Sequence, residues 1–273
     1  MSGMTRAVTA FPLTSVFLIG SRRSLRLVER NLYVYRHGWL VLLSGFFEPL
    51  FYLLGVGFGI GTLVGSVVGP GGQPIPYQLF VAPALLASAS MNGAINESTF
   101  NFFFKLHYDK TFVSILATPL SSGDIAVGEL IWALIRGGLY AIGFLIVMFV
   151  LGLVVSPWVV FALPAALLVG FAFASVGMAA TSFMKSWQDF DLIQLVVLPL
   201  FLFSATFYPI ETYPETLRVI VQLTPLYQGV DLIRSLAVGH ITPILLFHIG
   251  YLVVVGFIGL FVVSRRLDKL LLT

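Results

Sequence analysis

The side chains of this sequence that could do chemistry are few, and they stand inside or beside long apolar runs. Glu48, Glu97, Glu129 and Arg136 interrupt segments that otherwise read as hydrocarbon. An ionisable group at such depth costs several kcal/mol unless it is paired, protonated or facing water. Two chemistries would justify these four: a proton or ion relay, or pairing that holds helices together. Arg136 requires an acidic partner, with Glu129, Glu97 and Glu48 as candidates. The structural pairs expected are Glu129 with Arg136, and Asp231 with Arg234, which stand three apart on one helix as Glu215 and Arg218 do.

Other catalytic equipment is missing. No G-x-x-x-x-G-K-S/T phosphate loop occurs, so this chain is not expected to hydrolyse ATP. The histidines, His37, His107, His240 and His248, fall on different segments without metal-ligand spacing. There is no G-x-S-x-G elbow, no carboxylate dyad and no cysteine, hence no disulfide framework and no thiolate site. Gly55, Gly57, Gly59, Gly61 and Gly65 do not match a dinucleotide fingerprint; their spacing suits close helix packing. The isolated chain is therefore expected not to be an enzyme, and to hold neither cofactor nor metal.

The composition explains why so little chemistry is available. A hydrophobic share of 58% with 10% charged residues lies far from the balance near 25% charged of soluble domains. The 273 residues accommodate about six spans of roughly 20 residues with short connections, and no separate soluble domain. The fold class expected is all-α: a polytopic membrane protein with six transmembrane helices, an N-terminal amphipathic interface helix, a short cytoplasmic helix and outer re-entrant helices, all within one domain over 1–273.

The net charge of +3 follows membrane topology and implies no nucleic-acid partner. Lys and Arg concentrate before residue 40, over 101–124, at Lys185 and in the tail at Arg265, Arg266 and Lys269; only Arg218 and Arg234 fall on the other side. Both termini are thus expected in the cytoplasm, in an inner-membrane protein that crosses many times. The apolar run 7–20 resembles a secretion signal, but Ser21-Arg22-Arg23 replaces a small-residue cleavage site, so it reads as a membrane-surface segment.

Along the chain, residues 21–39 alternate Arg22, Arg23, Arg26, Glu29 and Arg30 with leucines, the pattern of an interface helix on an anionic surface. Spans are expected at 40–60, 77–98, 125–154, 158–184, 191–206 and 243–263, the fifth short for a full crossing. The uncharged Gly and Pro stretch Gly65 to Pro76 reads as an outer loop. Residues 207–240 hold two short amphipathic pieces split at Thr224-Pro225, expected as half-helices re-entering the outer leaflet.

Between the second and third spans lies a polar island over 101–124, with a helix expected within 102–118. Tyr108 to Leu116 can form about two turns with Phe112, Ile115 and Leu116 on one stripe and Asp109 and Lys110 off it; Thr118-Pro119 ends them. Such a knob could lie on lipid headgroups or dock onto a soluble subunit.

Taken together, the basic amphipathic start, the six spans, ILATPLSSGDI and FSATFYPIETYPETLRVIVQLTPLYQGVDLIRSLAVG resemble the permease subunits of ABC-2 type exporters over nearly the whole chain. EPLFYLLGVGFGIGTLVG and PLYQGVDLIRSLAVGH are most similar to the permeases for lipo-oligosaccharide nodulation signals, and next to daunorubicin-resistance permeases. The resemblance implies a partner ABC-type ATPase in two copies, which carries the ATP and Mg, and a second permease chain, most simply a homodimer. It implies that Tyr108, Asp109, Lys110, Phe112, Ile115, Leu116, Thr118 and Pro119 form the helix that couples to the ATPase. A lipid or amphipathic cargo would pass between the first and fifth spans, along Glu48, Phe51, Tyr52, Phe201, Phe203 and Phe207. The rival from another class is a stand-alone carrier driven by an ion gradient through the intramembrane Glu and Arg residues. A lipid-modifying enzyme would lack both nucleophile and metal set.

Overall fold

The computed structural model describes residues 13–36 and 47–271, with side chains from Arg23 onward. Residues 7–12 of the surface segment, 37–46 with His37 and the expected start of the first span, the side chain of Arg22, and residues 272–273 lie outside the described residues.

Helix α1 runs Leu13–Tyr35. Five further helices are long and apolar enough to cross a membrane: α2 (Phe47–Val64), α3 (Tyr77–Tyr108), α5 (Ser122–Val150), α6 (Pro157–Thr181) and α10 (Ile244–Leu271). At 1.5 Å per residue each of the longer ones exceeds the hydrocarbon thickness of about 30 Å. A sixth apolar helix, α7 (Phe190–Phe203), has only 14 residues, or about 21 Å of rise. The described residues are mostly helical and hold five candidate spans where six were expected in the chain.

Helix α3 occupies the centre, buried nearly all round against α5, α6 and α9 (Pro225–Val238). It does not stop at Ser98 as expected but continues to Tyr108, widening into π turns over Glu97–Asn101 and Phe104–Tyr108. No Pro or Gly interrupts that stretch, and Thr99 Oγ1 donates to the Ile95 carbonyl at 2.7 Å without breaking the helix.

The break comes at Lys110, in a left-handed conformation with φ 49°. Helix α4 then spans only Thr111–Leu116, so the two turns expected from Tyr108 begin three residues later. A lysine in that conformation carries roughly 1–2 kcal/mol of backbone strain, partly offset by the entropy a glycine would lose on folding. Lys110→Gly is therefore expected to stabilise by up to about 1 kcal/mol. Thermal unfolding in detergent tests this; a lowered midpoint would mean that the lysine side chain outweighs its strain.

Ser121 and Asp124 start α5 with a capping box: the Asp124 amide donates to Ser121 Oγ at 3.1 Å and the Ser121 amide to Asp124 Oδ2 at 2.9 Å. At the other end of α3, Ser66–Val68 and Pro74–Pro76 pair as a small antiparallel hairpin within the segment expected as a loop. Beyond α7, the segment expected to re-enter the membrane forms α8 (Glu215–Gln222) and α9, divided where the Tyr227 amide donates to Thr224 Oγ1 at 3.3 Å. Gly239 closes α9 with φ 88°.

Of the glycines singled out in the sequence, Gly61 does pack against a neighbouring helix, a Cβ there falling 2.9 Å from Gln78 Nε2 of α3, but others do not. A Cβ on Gly55 or Gly65 would meet nothing within 4 Å, and on Gly59 only its own helix backbone at 3.8 Å. Other close approaches occur at Gly93 and Gly137 between α3 and α5, and at Gly256 and Gly259 between α10 and α6.

Candidate functional site

The end of the bundle that bears α1 and α4 gathers most of the buried charge. Glu97 and Lys105, about two turns apart on the extended α3, face Glu129 and Arg136 of α5. Arg136 Nη1 lies 2.8 Å from Glu97 Oε2, Lys105 Nζ 2.6 Å from Glu129 Oε2, and Lys105 Nζ 3.6 Å from Glu97 Oε1. Asn101 Nδ2 donates to Glu97 Oε2 at 2.7 Å, and Arg136 Nε to the Tyr140 hydroxyl at 3.3 Å. Two carboxylates and two cations neutralise one another in a nearly dry site, the arrangement in which loss of one partner costs most. Arg136 thus takes Glu97, one of its three candidates, while Glu129 goes to Lys105. The expected Glu129–Arg136 pair is replaced because α3 reaches far enough to insert a lysine between them.

Helix α1 is tied into this network. Asn31, 1% exposed, donates to Glu129 Oε1 at 3.4 Å and accepts from Lys105 Nζ at 3.3 Å. Leu27 and the Ser24 carbonyl sit against Gly128, where a Cβ would come within 2.7 Å of Leu27. Burial and the neighbouring Glu97 carboxylate push the Tyr35 hydroxyl up to about 12, so it remains a protonated donor facing the network. Arg23 Nη1 donates to the Pro119 carbonyl at 3.1 Å. Arg26 pairs with Glu29 at 2.8 Å on the exposed face, where such a pair adds little stability. Arg30 Nη1 reaches Asn31 Oδ1 at 3.5 Å.

Helix α4 turns the expected stripe inward. Phe112 (0% exposed) and Ile115 pack in a cluster with Phe102, Ile125, Leu130 and Leu267, and Leu116 is half-buried beside them. The outward face comprises Tyr108, Asp109, Lys110, Val113, Thr118 and Pro119.

On the flank of the bundle, Tyr52 of α2, Phe201 of α7 and Phe207 form an aromatic cluster, with ring centroids 5.1 Å apart for Tyr52 and Phe201 and 5.3 Å for Phe201 and Phe207. Below it lies a notch of about 120 Å³ lined by Glu48, Asn92, Asn96, Gln194, Val197 and Phe201. Phe51 points away, stacked on Phe47. Phe203 lines a separate apolar groove of about 430 Å³ between α7 and α8, with Leu217 and Ile220.

Towards the hairpin end, Arg234 does not pair with Asp231 as expected. Its Nε donates to the Phe80 carbonyl at 3.0 Å and its Nη2 to the Ala205 carbonyl at 2.7 Å, with the guanidinium 3.7 Å over the Phe80 ring. Ala205 takes a left-handed φ of 54°, and its carbonyl, which no helix claims, captures the arginine. Asp231 instead lies 3.0 Å from His248 Nε2. Arg218 likewise turns from Glu215 to the Glu211 carbonyl, at 3.2 Å. Among the described residues no group of three or more His, Asp or Glu side chains could hold a metal ion.

Asn31, Lys105 and Asn101 join the site without being among the residues expected from the sequence. Asn101 stands four residues after Glu97 and Lys105 eight, both on the Glu97 face of a helix; that signal was readable once the helix was carried past Ser98. Asn31 carried no such mark.

A family model described as ABC-2 type transporter matches residues 24–238. Among curated proteins, the chain is 32% identical over 254 residues to nodulation protein J of Rhizobium leguminosarum bv. trifolii, covering 91% of this chain and 95% of that protein. It is 30% identical over 235 residues to nodulation protein J of Neorhizobium galegae, with 84% and 87% covered, and 25% identical over 232 residues to that of Azorhizobium caulinodans, with 83% and 89% covered.

Proposed function

The chain belongs to the ABC-2 type transporter family, and from that premise we propose that it is the membrane permease of an ATP-driven exporter moving a lipo-oligosaccharide-like or similarly amphipathic molecule out of the cytoplasmic leaflet. The likeness to several nodulation J proteins over most of their length favours a glycolipid-like cargo over a drug-like one. ATP and Mg would be held by a separate ABC-type ATPase in two copies. A second copy of this permease would face the exposed apolar residues of α2, such as Phe51 and Leu54. The end bearing α1 and α4 would lie in the cytoplasm, both termini with it. The fifth crossing would be completed by α7 together with the segment after it, and α8 and α9 would dip into the outer leaflet.

The observation that carries this reading is the wedge made by α4. It stands beyond the end of a central helix, anchored from inside by Phe112 and Ile115 and presenting Tyr108, Asp109 and Val113 outward. A force applied to that face passes through the buried core into α3 and α5, where Lys105 and Glu129 join both helices to α1. ATP-driven closure of two ATPase subunits would push on the wedge and rock the spans. The stand-alone carrier is less well supported: Glu97 and Glu129 are each engaged by a fixed cation, which leaves no row of free titratable groups from one end to the other among the described residues.

Val113→Glu, on a residue 54% exposed, leaves the anchors intact and places a charge where the partner would dock. In proteoliposomes containing both subunits it is expected to lower ATP-dependent movement of a fluorescent glycolipid by about tenfold, the loss of one buried apolar contact plus an unpaired charge. Unaltered movement, or concentrative transport by the permease without any ATPase, would overturn the reading.

A further inference from the structure

Three helices contribute to the notch beneath the aromatic cluster: α2 gives Glu48, α3 gives Asn92 and Asn96, and α7 gives Gln194. Asn92 and Asn96 are four residues apart and share one face of α3. Among the described residues, none of these four side chains has a hydrogen-bond partner. Counted from Tyr77 at the hairpin end, Asn96 lies about 28 Å along α3 and Asn92 about 22 Å, at 1.5 Å per residue. Asn96 would therefore sit at the inner margin of a hydrocarbon layer about 30 Å thick and Asn92 about one turn deeper inside it, where unused polar groups facing lipid are costly. The space has room for several waters, and so for the edge of one ring-sized polar group.

We propose that this notch is the entry site for the cargo headgroup, and that it selects a neutral, hydroxyl- or amide-bearing head over an anionic or a cationic one. The proposal rests on the exporter reading and adds the chemistry of recognition. Each carboxamide presents two N–H donors and a carbonyl acceptor, and Glu48 presents acceptors only. An anionic head would meet the Glu48 carboxylate at close range; a cationic head could use that carboxylate but would leave the carboxamide N–H groups unmatched. A neutral head with hydroxyls uses both kinds of group. Above the notch, Val197 and Phe201 lead to Tyr52 and Phe207, an apolar and aromatic wall on which the tail of the same molecule can lie.

The chain contains no cysteine, which makes Leu198→Cys, on the exposed rim of the notch, a clean reporter that leaves all four polar groups in place. The permease purified with its ATPase in lipid nanodiscs is treated with a maleimide, and labelling of the permease is followed in the presence of hexadecyl glucoside, hexadecyl phosphate or hexadecyl trimethylammonium. Only the glucoside is expected to slow labelling. Adding Gln194→Leu or Asn96→Leu is expected to raise the concentration for half-protection about tenfold, the loss of one or two net hydrogen bonds. Glu48→Gln is expected to admit the phosphate analogue. Protection by the phosphate or ammonium analogue as strong as by the glucoside overturns the proposal, as does protection that Gln194→Leu and Asn96→Leu leave unchanged. Spontaneous crosslinking of two Leu198→Cys copies would assign the notch to a permease–permease contact and also overturn it. Labelling requires no ATP, so a failure of ATP-driven movement would count against the exporter reading and leave the result on the notch standing.

Discussion

Arg136→Met is expected to destabilise the protein by about 3–5 kcal/mol, because it leaves a carboxylate buried without its principal cation. The Glu97 side chain is 1% exposed and its Oε2 takes the Arg136 guanidinium at 2.8 Å; Lys105, at 3.6 Å from Oε1, is already committed to Glu129 at 2.6 Å. Lys105 would then have to serve two buried carboxylates alone. For a chain of this length such a loss should lower the thermal midpoint by about 10 °C, read by unfolding in detergent or by the fraction that elutes as a single species. Glu97→Gln combined with Arg136→Met should recover most of the loss, since a carboxamide tolerates burial and Asn101 can still bond it. A shift below about 2 °C for the single variant would show that the network is wetter and weaker than its distances imply.

The same network shows where a reading of the sequence stops. That Arg136 needed a carboxylate followed from the cost of a lone charge in hydrocarbon, and Glu97 was one of three candidates. Choosing among them required the length of α3, and nothing local marks Ser98 as the end of a helix: the residues after it are aromatic, polar and free of Pro and Gly. Once α3 runs to Tyr108, Lys105 arrives opposite Glu129 and the pairing rearranges. The island holds a helix of only Thr111–Leu116 before Thr118-Pro119, and its inward and outward faces cannot be separated by residue type. Phe112, Ile115, Val113 and Tyr108 are all apolar or aromatic, and only packing against Phe102, Ile125 and Leu267 decides that the first two are anchors. Arg234 was paired with Asp231 by spacing alone. The strained carbonyl of Ala205, which competes for it, exists only because α7 ends where it does.

Glycine gives the second large effect. Gly259→Val is expected to cost about 3 kcal/mol, the upper part of the range for overpacking a close-fitting interior, although no charged or polar group is touched. Helices α6 and α10 share the most extensive helix–helix contact in the molecule, and a Cβ on Gly259 would fall 2.7 Å from both the Ser175 carbonyl carbon and the Val176 amide nitrogen. Those are backbone atoms, so no rotamer change relieves the clash and the helices must separate. In lipid, where tails compete for apolar surface as well as any side chain does, close backbone approach is a principal source of helix association. The control is Gly250→Ala on the same helix, where an added Cβ meets nothing within 4 Å; it should be neutral or raise stability by up to about 1 kcal/mol through helix propensity. Equal thermal midpoints for Gly259→Val and Gly250→Ala would show that α6 and α10 are held by their neighbours and not by contact with each other.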